Sequence, residues 1–136
     1  MKDMYSFHLN KECAEATYQD ICKAYENLFN RLDLQFIKAE ASVGSMGGLK
    51  SHEYLIESAV GEDKIYECRN CKKAISSDLL TENKEDVNQQ DLCNALNCCK
   101  STPGMETSVL EPKRCIEIGH TFLLGKYYNA NNLKDI

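Results

Sequence analysis

Residues 115–124 read Cys115-Ile116-Glu117-Ile118-Gly119-His120-Thr121-Phe122-Leu123-Leu124. Ile116, Ile118, His120, Phe122 and Leu124 fall on alternate positions, with Glu117, Gly119, Thr121 and Leu123 between them. A period of two is the geometry of a strand, whose successive side chains point to opposite faces. Gly125 ends the run. The alternation predicts one strand with Ile116, Ile118, His120, Phe122 and Leu124 sharing a side.

Shorter runs of the same kind lie upstream. Residues 34–39 (LQFIKA), 52–58 (HEYLIES) and 64–67 (KIYE) read as strands, as does the β-compatible stretch 1–8 with Met4, Tyr5 and Phe7. A glycine-bearing loop, SVGSMGGLKS, covers 42–51, and Gly61-Glu62-Asp63 reads as a turn. From Lys11 to Leu32 the period changes to that of a helix. Ala14, Thr17, Ile21, Ala24, Leu28 and Leu32 form an apolar stripe that Tyr18, Tyr25 and Phe29 broaden. Asn10 is placed to cap it, and Glu12 sits favourably at the positive dipole end. Residues 76–100 are polar and weakly patterned, and 103–112 read as loop. One helix and several strands without regular βαβ alternation predict an α+β domain on a mostly antiparallel sheet.

The chain has 136 residues, a formal charge of −5, 43% hydrophobic and 27% charged residues, which is a globular composition. No run approaches the roughly 18 apolar residues of a membrane span. The mild acidity argues against a large electrostatic nucleic-acid footprint on this chain. The first ten residues contain no apolar h-region, so the 8 cysteines read as thiols or metal ligands of a reducing compartment. Five of the eight, Cys68, Cys71, Cys93, Cys98 and Cys99, fall between residues 68 and 99. Cys68-x2-Cys71 has the spacing of half a zinc knuckle, and Cys93 with Cys98 gives a looser second half. Zinc on Cys68, Cys71, Cys93 and Cys98 and unligated thiols are both open readings. The loop GSMGGLKS matches neither phosphate-binding glycine signature, and Gly47-Gly48 marks a tight turn or close backbone approach. His8, His52 and His120 form no His-x3-His pair, and no Ser/His/Asp arrangement is visible along the chain.

Four strings together resemble one family. Residues 1–8, MKDMYSFH, resemble the EFLMKDAYSFH of the second motif 2 strand in bacterial-type prolyl-tRNA synthetases. Residues 44–54, GSMGGLKSHEY, resemble that family's GAIGGSKSHEF, and Gly61-Glu62-Asp63 matches its GED turn. Residues 116–125, IEIGHTFLLG, are similar to IEVGHIFQLG. The strings occur in the family's order and span nearly the whole chain.

The resemblance implies part of a class II aminoacyl-tRNA synthetase catalytic core, an antiparallel sheet flanked by helices. It implies activation of L-proline with ATP and Mg2+, then transfer to tRNA-Pro, by a homodimeric enzyme with no membrane association. Carried over residue by residue, Asp3 would meet the proline imino group, with Met1 beside it. Gly47, Gly48, Ser51 and His52 would line the pocket wall. His120 and Phe122 would lie under the substrate. No residue is implied as a protein nucleophile. The family's glutamine in the last strand is a leucine here, and the string that follows it also departs. About 50 residues separate Asp63 from Ile116, too few for the family's editing domain. The implied organisation is catalytic core at 1–66, a cysteine-bearing connector at 67–114 in place of that domain, and core again at 115–136. The short connector resembles mitochondrial relatives, which implies the mitochondrial matrix, with a bacterial cytoplasm as the alternative. The missing flanking motifs imply an internal fragment, inactive alone. Two other readings stay open: a non-catalytic zinc-knuckle binding module, and a degenerate synthetase-like regulatory protein.

Overall fold

A computed structural model describes residues 3–81, Leu96 and residues 110–125. The elements are α1 (Lys11–Arg31), β1 (Ile37–Glu40), a single 3₁₀ turn (Gly44–Met46), β2 (Lys50–Glu57), β3 (Asp63–Cys68), β4 (Ala74–Ser76), α2 (Ser77–Thr81) and β5 (Leu110–Leu123). The strands close into a barrel in the order β1-β2-β5-β3-β4.

β5 organises this barrel. Its C-terminal part pairs antiparallel with β2, from Glu57↔Cys115 to Lys50↔Leu123. Its N-terminal part pairs antiparallel with β3, from Asp63↔Cys115 to Cys68↔Leu110. The chain therefore passes from one side of β5 to the other between Glu57 and Asp63, directly over Cys115. Ser58 N–H donates to the Arg114 carbonyl at 2.9 Å during this crossing. Gly61 lies so close that a Cβ there would sit 2.1 Å from the Cys115 carbonyl oxygen. Only glycine fits such an approach.

The expected mostly antiparallel sheet flanked by helices is corrected by this closure. β1 pairs antiparallel with β2 but parallel with β4, through Ala39↔Ala74 and Glu40↔Ile75. The two edges that an open sheet would leave unpaired thus satisfy each other. Period-two alternation is the same in an open and a closed sheet, so the run at 115–124 could not distinguish them. Only α1 among the described helices is long, and it packs on the outer surface; α2 has five residues.

Residues opposite one another in register share a face. The inward face carries a fully buried apolar cluster of Ala39, Leu55, Ile65, Ala74 and Cys115. A second cluster, Cys68, Ile75, Leu96 and Leu110, lies on the other face of β3 and β4, with Leu79 and Leu80 of α2 packed on it. Further along the inward face, Lys113 Nζ bridges Glu57 and Glu67 at 2.8 Å each. These two acceptors hold the ammonium well above its ordinary pKa.

α1 begins as read: Asn10 Oδ1 accepts from Cys13 N–H at 2.8 Å. Its buried face is rotated from the expected stripe. Tyr18, Cys22 and Phe29 are buried, Ala14 and Tyr25 are half-buried, and Ala24, Leu28 and Leu32 are exposed. Tyr25 and Phe29 pack on Tyr54 with ring centroids 5.1 and 5.6 Å away. Gly119, beside Tyr54 in register, leaves the room: a Cβ there would sit 3.1 Å from Tyr25 and 3.3 Å from Phe29.

Two strand readings also change. Residues 3–8 form no strand; they pair with none among the described residues, and Met4, Tyr5 and Phe7 are exposed. β4 has no counterpart among the strands expected from sequence, and β5 begins at Leu110 rather than Cys115, running through Pro112.

Candidate functional site

The register of β2 and β5 shifts between Tyr54 and Leu55. Tyr54 pairs with Gly119 and Leu55 with Glu117, so Ile118 is an extra residue in β5. Such a bulge reverses the alternation beyond it. Glu117 is consequently on the same inward face as His120 and Phe122, and Ile116 is not. The single-sided alignment of Ile116 with His120 expected from the alternation is thereby overturned; Ile116 is 44% exposed. Asp63 of the Gly61-Glu62-Asp63 turn stabilises the bulge, because its Oδ2 accepts from Glu117 N–H at 3.2 Å.

On β2, Ser51, Glu53 and Leu55 face inward ahead of Glu57. Glu53 pairs with His120 and Ser51 with Phe122. The fold thus collects Ser51, Glu53, Glu117, His120 and Phe122 on one patch, in which Ser51 and Glu53 are buried, His120 and Phe122 half-buried and Glu117 exposed. Ser51 Oγ and His120 Nε2 are 2.5 Å apart. His120 Nδ1 lies 3.6 Å from Glu117 Oε1. The His120 and Phe122 rings stack with centroids 4.0 Å apart and planes at 24°. One donor atom each from Glu53, Glu117 and His120 lies within 4.8 Å of the others.

The electrostatics follow from burial. Glu53 is 9% exposed. Its carboxyl is pushed up to about 7 by desolvation first and by the Glu117 charge second, against a hydrogen bond from Ser76. Burial lowers the His120 pKa, so its imidazole is neutral at neutral pH. Ser51, His120 and Glu117 stand in the order of a Ser-His-acid relay, although the 3.6 Å between Glu117 Oε1 and His120 Nδ1 is longer than a hydrogen bond. Ser51 is only 2% exposed, however, so its hydroxyl is not presented to an electrophile. Its chemical role is to fix the imidazole ring.

His52 does not join this patch. It projects from the opposite face of β2, beneath α1, where Tyr18 Oη lies 2.6 Å from its Nδ1. Burial first, then Lys38 and Lys50, lower its pKa to about 4. Thr121 Oγ1 donates to the Tyr18 oxygen and to the His52 carbonyl, at 3.4 Å each. Gly47 and Gly48 lead into β2. Gly48 has φ +118°, and a Cβ there would meet the Leu123 carbonyl at 2.7 Å. Leu49 N–H donates to that same carbonyl at 2.7 Å. The loop is therefore fastened to the end of β5, next to Phe122. Asp3 is exposed on the segment before α1, and its charge raises the Tyr25 pKa after the larger effect of burial.

Of the four cysteines read as zinc ligands, Cys68 is fully buried at the end of β3 and Cys71 is exposed on the β3–β4 turn. Lys72 N–H donates to the Cys68 carbonyl at 3.0 Å, and Cys68 N–H to the Lys73 carbonyl at 2.8 Å. Lys72 has φ 60°. Cys93 and Cys98 lie outside the described residues.

Sequence reasoning missed Glu53 and Glu117 as site residues. Their signal was present, since Ser51-His52-Glu53 and Glu117-Ile118-Gly119-His120 stand inside the strings already quoted. What was missing was the bulge that brings Glu117 inward.

No family model matches the chain. It is 38% identical over 130 residues to the probable mitochondrial proline–tRNA ligase of Rattus norvegicus, covering 96% of this chain and 24% of that protein. It is 35% identical over 130 residues to the probable mitochondrial proline–tRNA ligase of Schizosaccharomyces pombe, covering 96% of this chain and 28% of that protein. The proline–tRNA ligase of Buchnera aphidicola is 36% identical over 115 residues, covering 85% of this chain and 18% of that protein. The chain spans about a quarter of the length of the mitochondrial relatives it matches. Over most or nearly all of its length the chain is homologous to one part of the mitochondrial and bacterial proline–tRNA ligases.

Proposed function

We propose that this chain contributes part of the amino-acid-activating site of a proline–tRNA ligase. The reaction is attack of the L-proline carboxylate on the α-phosphate of ATP, with release of pyrophosphate, and then transfer of the prolyl group to tRNA-Pro. The observation that carries this reading is the coincidence of two things. The chain is 35–38% identical to mitochondrial proline–tRNA ligases over 96% of its length. The strings it shares in type with that family, 51–53 and 117–122, also supply the residues of the inward patch.

The chemistry needs positioning and charge neutralisation rather than a protein nucleophile. The stacked rings of His120 and Phe122 make a flat wall suited to a pyrrolidine ring. The buried Ser51 holds His120 in that stack. Gly47 and Gly48 bring backbone to the rim of the same patch, whereas Asp3, which the resemblance gives as the acidic partner of the proline imino nitrogen, lies on the α1 side, where its charge acts on Tyr25. His52 acts from behind the wall rather than along it.

ATP brings Mg2+ to this reaction. Two carboxylates within reach of one point fit Mg2+, which takes one or two protein carboxylates, phosphate oxygens and water. Glu53 and Glu117 would hold the ion, and the neutral His120 would hydrogen-bond beside it. Binding would draw the proton from Glu53. A structural zinc on Cys68, Cys71, Cys93 and Cys98 belongs to the same reading. In its favour, a Cys-x2-Cys turn closes β3 to β4, and Leu96, between Cys93 and Cys98 in sequence, packs in the Cys68 cluster. Stoichiometric zinc in the purified chain, released on replacing Cys71 with serine, supports it; a metal-free folded chain removes it.

The whole enzyme is a homodimer of the mitochondrial matrix on this reading. The test is proline-dependent exchange of pyrophosphate into ATP by the protein captured from its own cells through an antibody to this chain. Exchange that depends on another amino acid, or none at all, overturns the proposal. The isolated 136-residue chain is expected to show no exchange.

A further inference from the structure

The four inward residues Ser51, Glu53, His120 and Phe122 lie on two paired strands. Between them sits a single cross-strand pair, His52↔Thr121, which faces the other way. Of the α1 side chains at that pair, Tyr18 is the one whose polar atom reaches both of its residues. Tyr18 Oη is 2.6 Å from His52 Nδ1 and accepts from Thr121 Oγ1 at 3.4 Å. The Tyr18 and His52 rings lie 5.8 Å apart at 32°, and Thr121 Oγ1 returns to the His52 carbonyl at 3.4 Å. Cys22, one turn further along α1, places its sulfur 3.8 Å from Thr121 Oγ1. All four residues are buried.

We propose that Tyr18 is a positioning residue for the inward patch, acting through His52 and Thr121. This rests on the activating-site reading of that patch. In a strand, residue i shares a peptide plane with each neighbour, so rotating His52 about the strand axis tilts Ser51 and Glu53 in the opposite sense. The same holds for Thr121 with His120 and Phe122. Tyr18 fixes both rotations at once, because its one oxygen reaches both strands. Buried polar groups in an apolar layer tolerate only narrow geometry, which makes the constraint stiff. Packing of α1 alone would not require the hydroxyl. Tyr25 and Phe29 already supply aromatic contact to β2 and β5.

The test uses the full 136-residue chain at one fixed pH. Tyr18→Phe keeps the ring and removes the oxygen. Two signals are read: the ring proton–carbon resonances of His120 and Phe122, and Mn2+ affinity followed by paramagnetic broadening. Tyr18→Phe is expected to shift both sets of resonances and to weaken Mn2+ binding at least fivefold. Phe29→Leu is the control. It loosens α1 over Tyr54 and Gly119 without touching His52 or Thr121, and it is expected to shift both signals less than Tyr18→Phe does. Thr121→Val removes the matching hydroxyl from the other strand and should reproduce Tyr18→Phe if that variant does not fold. Unshifted ring resonances in Tyr18→Phe or Thr121→Val, or equal shifts in Phe29→Leu, overturn the proposal. A wild-type chain that binds no Mn2+ overturns the metal assignment alone, since the ring resonances still decide the positioning role.

Discussion

Replacing Glu53 with glutamine should stabilise the chain above neutral pH and leave it nearly unchanged in acid. In the folded state the Glu53 carboxyl is 9% exposed and titrates at about 7, against an ordinary value of 4.5. Below pH 4.5 both folded and unfolded states hold the proton, so the residue makes no difference to stability. Between 4.5 and 7 the unfolded chain releases its proton first. Protons bound by the folded state then exceed those of the unfolded state, and stability falls as pH rises. Each pKa unit corresponds to about 1.4 kcal/mol, so this window amounts to about 3 kcal/mol, complete above pH 7. Glu53→Gln removes the titration and keeps the shape. The difference, variant minus wild type, is expected near zero at pH 4.5 and about 3 kcal/mol in favour of the variant at pH 8. His52 titrates in the opposite sense. Its folded pKa is lowered from 6.5 to about 4, so stability is lost as pH falls through that interval. That loss is common to both proteins and cancels in the difference. Urea unfolding at several pH values, with a chelator present to keep the carboxylates metal-free, measures the difference directly. A difference constant to within about 1 kcal/mol from pH 4.5 to 8 would refute the reasoning, because it would mean that Glu53 ionises in the fold as easily as in water.

Gly61→Ala is expected to destabilise the fold by about 3 kcal/mol or more, since its Cβ would sit 2.1 Å from the Cys115 carbonyl oxygen and the crossing over β5 would have to lift. A loss under about 1 kcal/mol in urea unfolding would show that the crossing is loose. Asn10→Ala should remove the acceptor for Cys13 N–H at the start of α1 and lower stability by about 1 kcal/mol. Amide exchange at Cys13 should rise more than at Phe29; equal changes would locate the effect outside the cap.

The start and length of α1 were legible because capping and periodicity are local. Its buried face was less so. Two apolar stripes run along α1, and the one that faces the sheet is aromatic because Gly119 opens a gap for Tyr25 and Phe29. Nothing in the helix sequence carries that information. β2 and β3 were readable from their apolar runs, whereas β4 has three residues, too few to show a period. Barrel closure depends on Ala39 finding Ala74, a non-local pairing that alternation does not encode. In the site, Ser51, His120 and Phe122 came from the family strings and lie together. His52 came from the same string but faces α1, which is the consequence of its odd offset from Ser51 and Glu53 along one strand. The bulge at Ile118 was hidden, because an extra residue leaves the apolar-polar pattern intact while reversing which side it serves.

The placement of Glu53 argues for selection on something other than stability. Ala39 and Leu55 adjoin it on the inward face, and with Ile65, Ala74 and Cys115 they form a fully buried apolar cluster. A leucine at position 53 would continue that cluster. Instead the chain buries a carboxyl beside the charge of Glu117, and both effects drive its pKa upward. Packing alone gives no reason to retain a group that opposes folding at neutral pH. A divalent cation does give a reason. It converts two carboxylates that repel one another into two ligands, and its binding draws off the proton that burial retains. The same residue that weakens the empty fold would then strengthen the loaded one. Mn2+ should therefore raise the stability of the wild-type chain and leave that of Glu53→Gln nearly unchanged, a reversal that no purely structural role for Glu53 would produce.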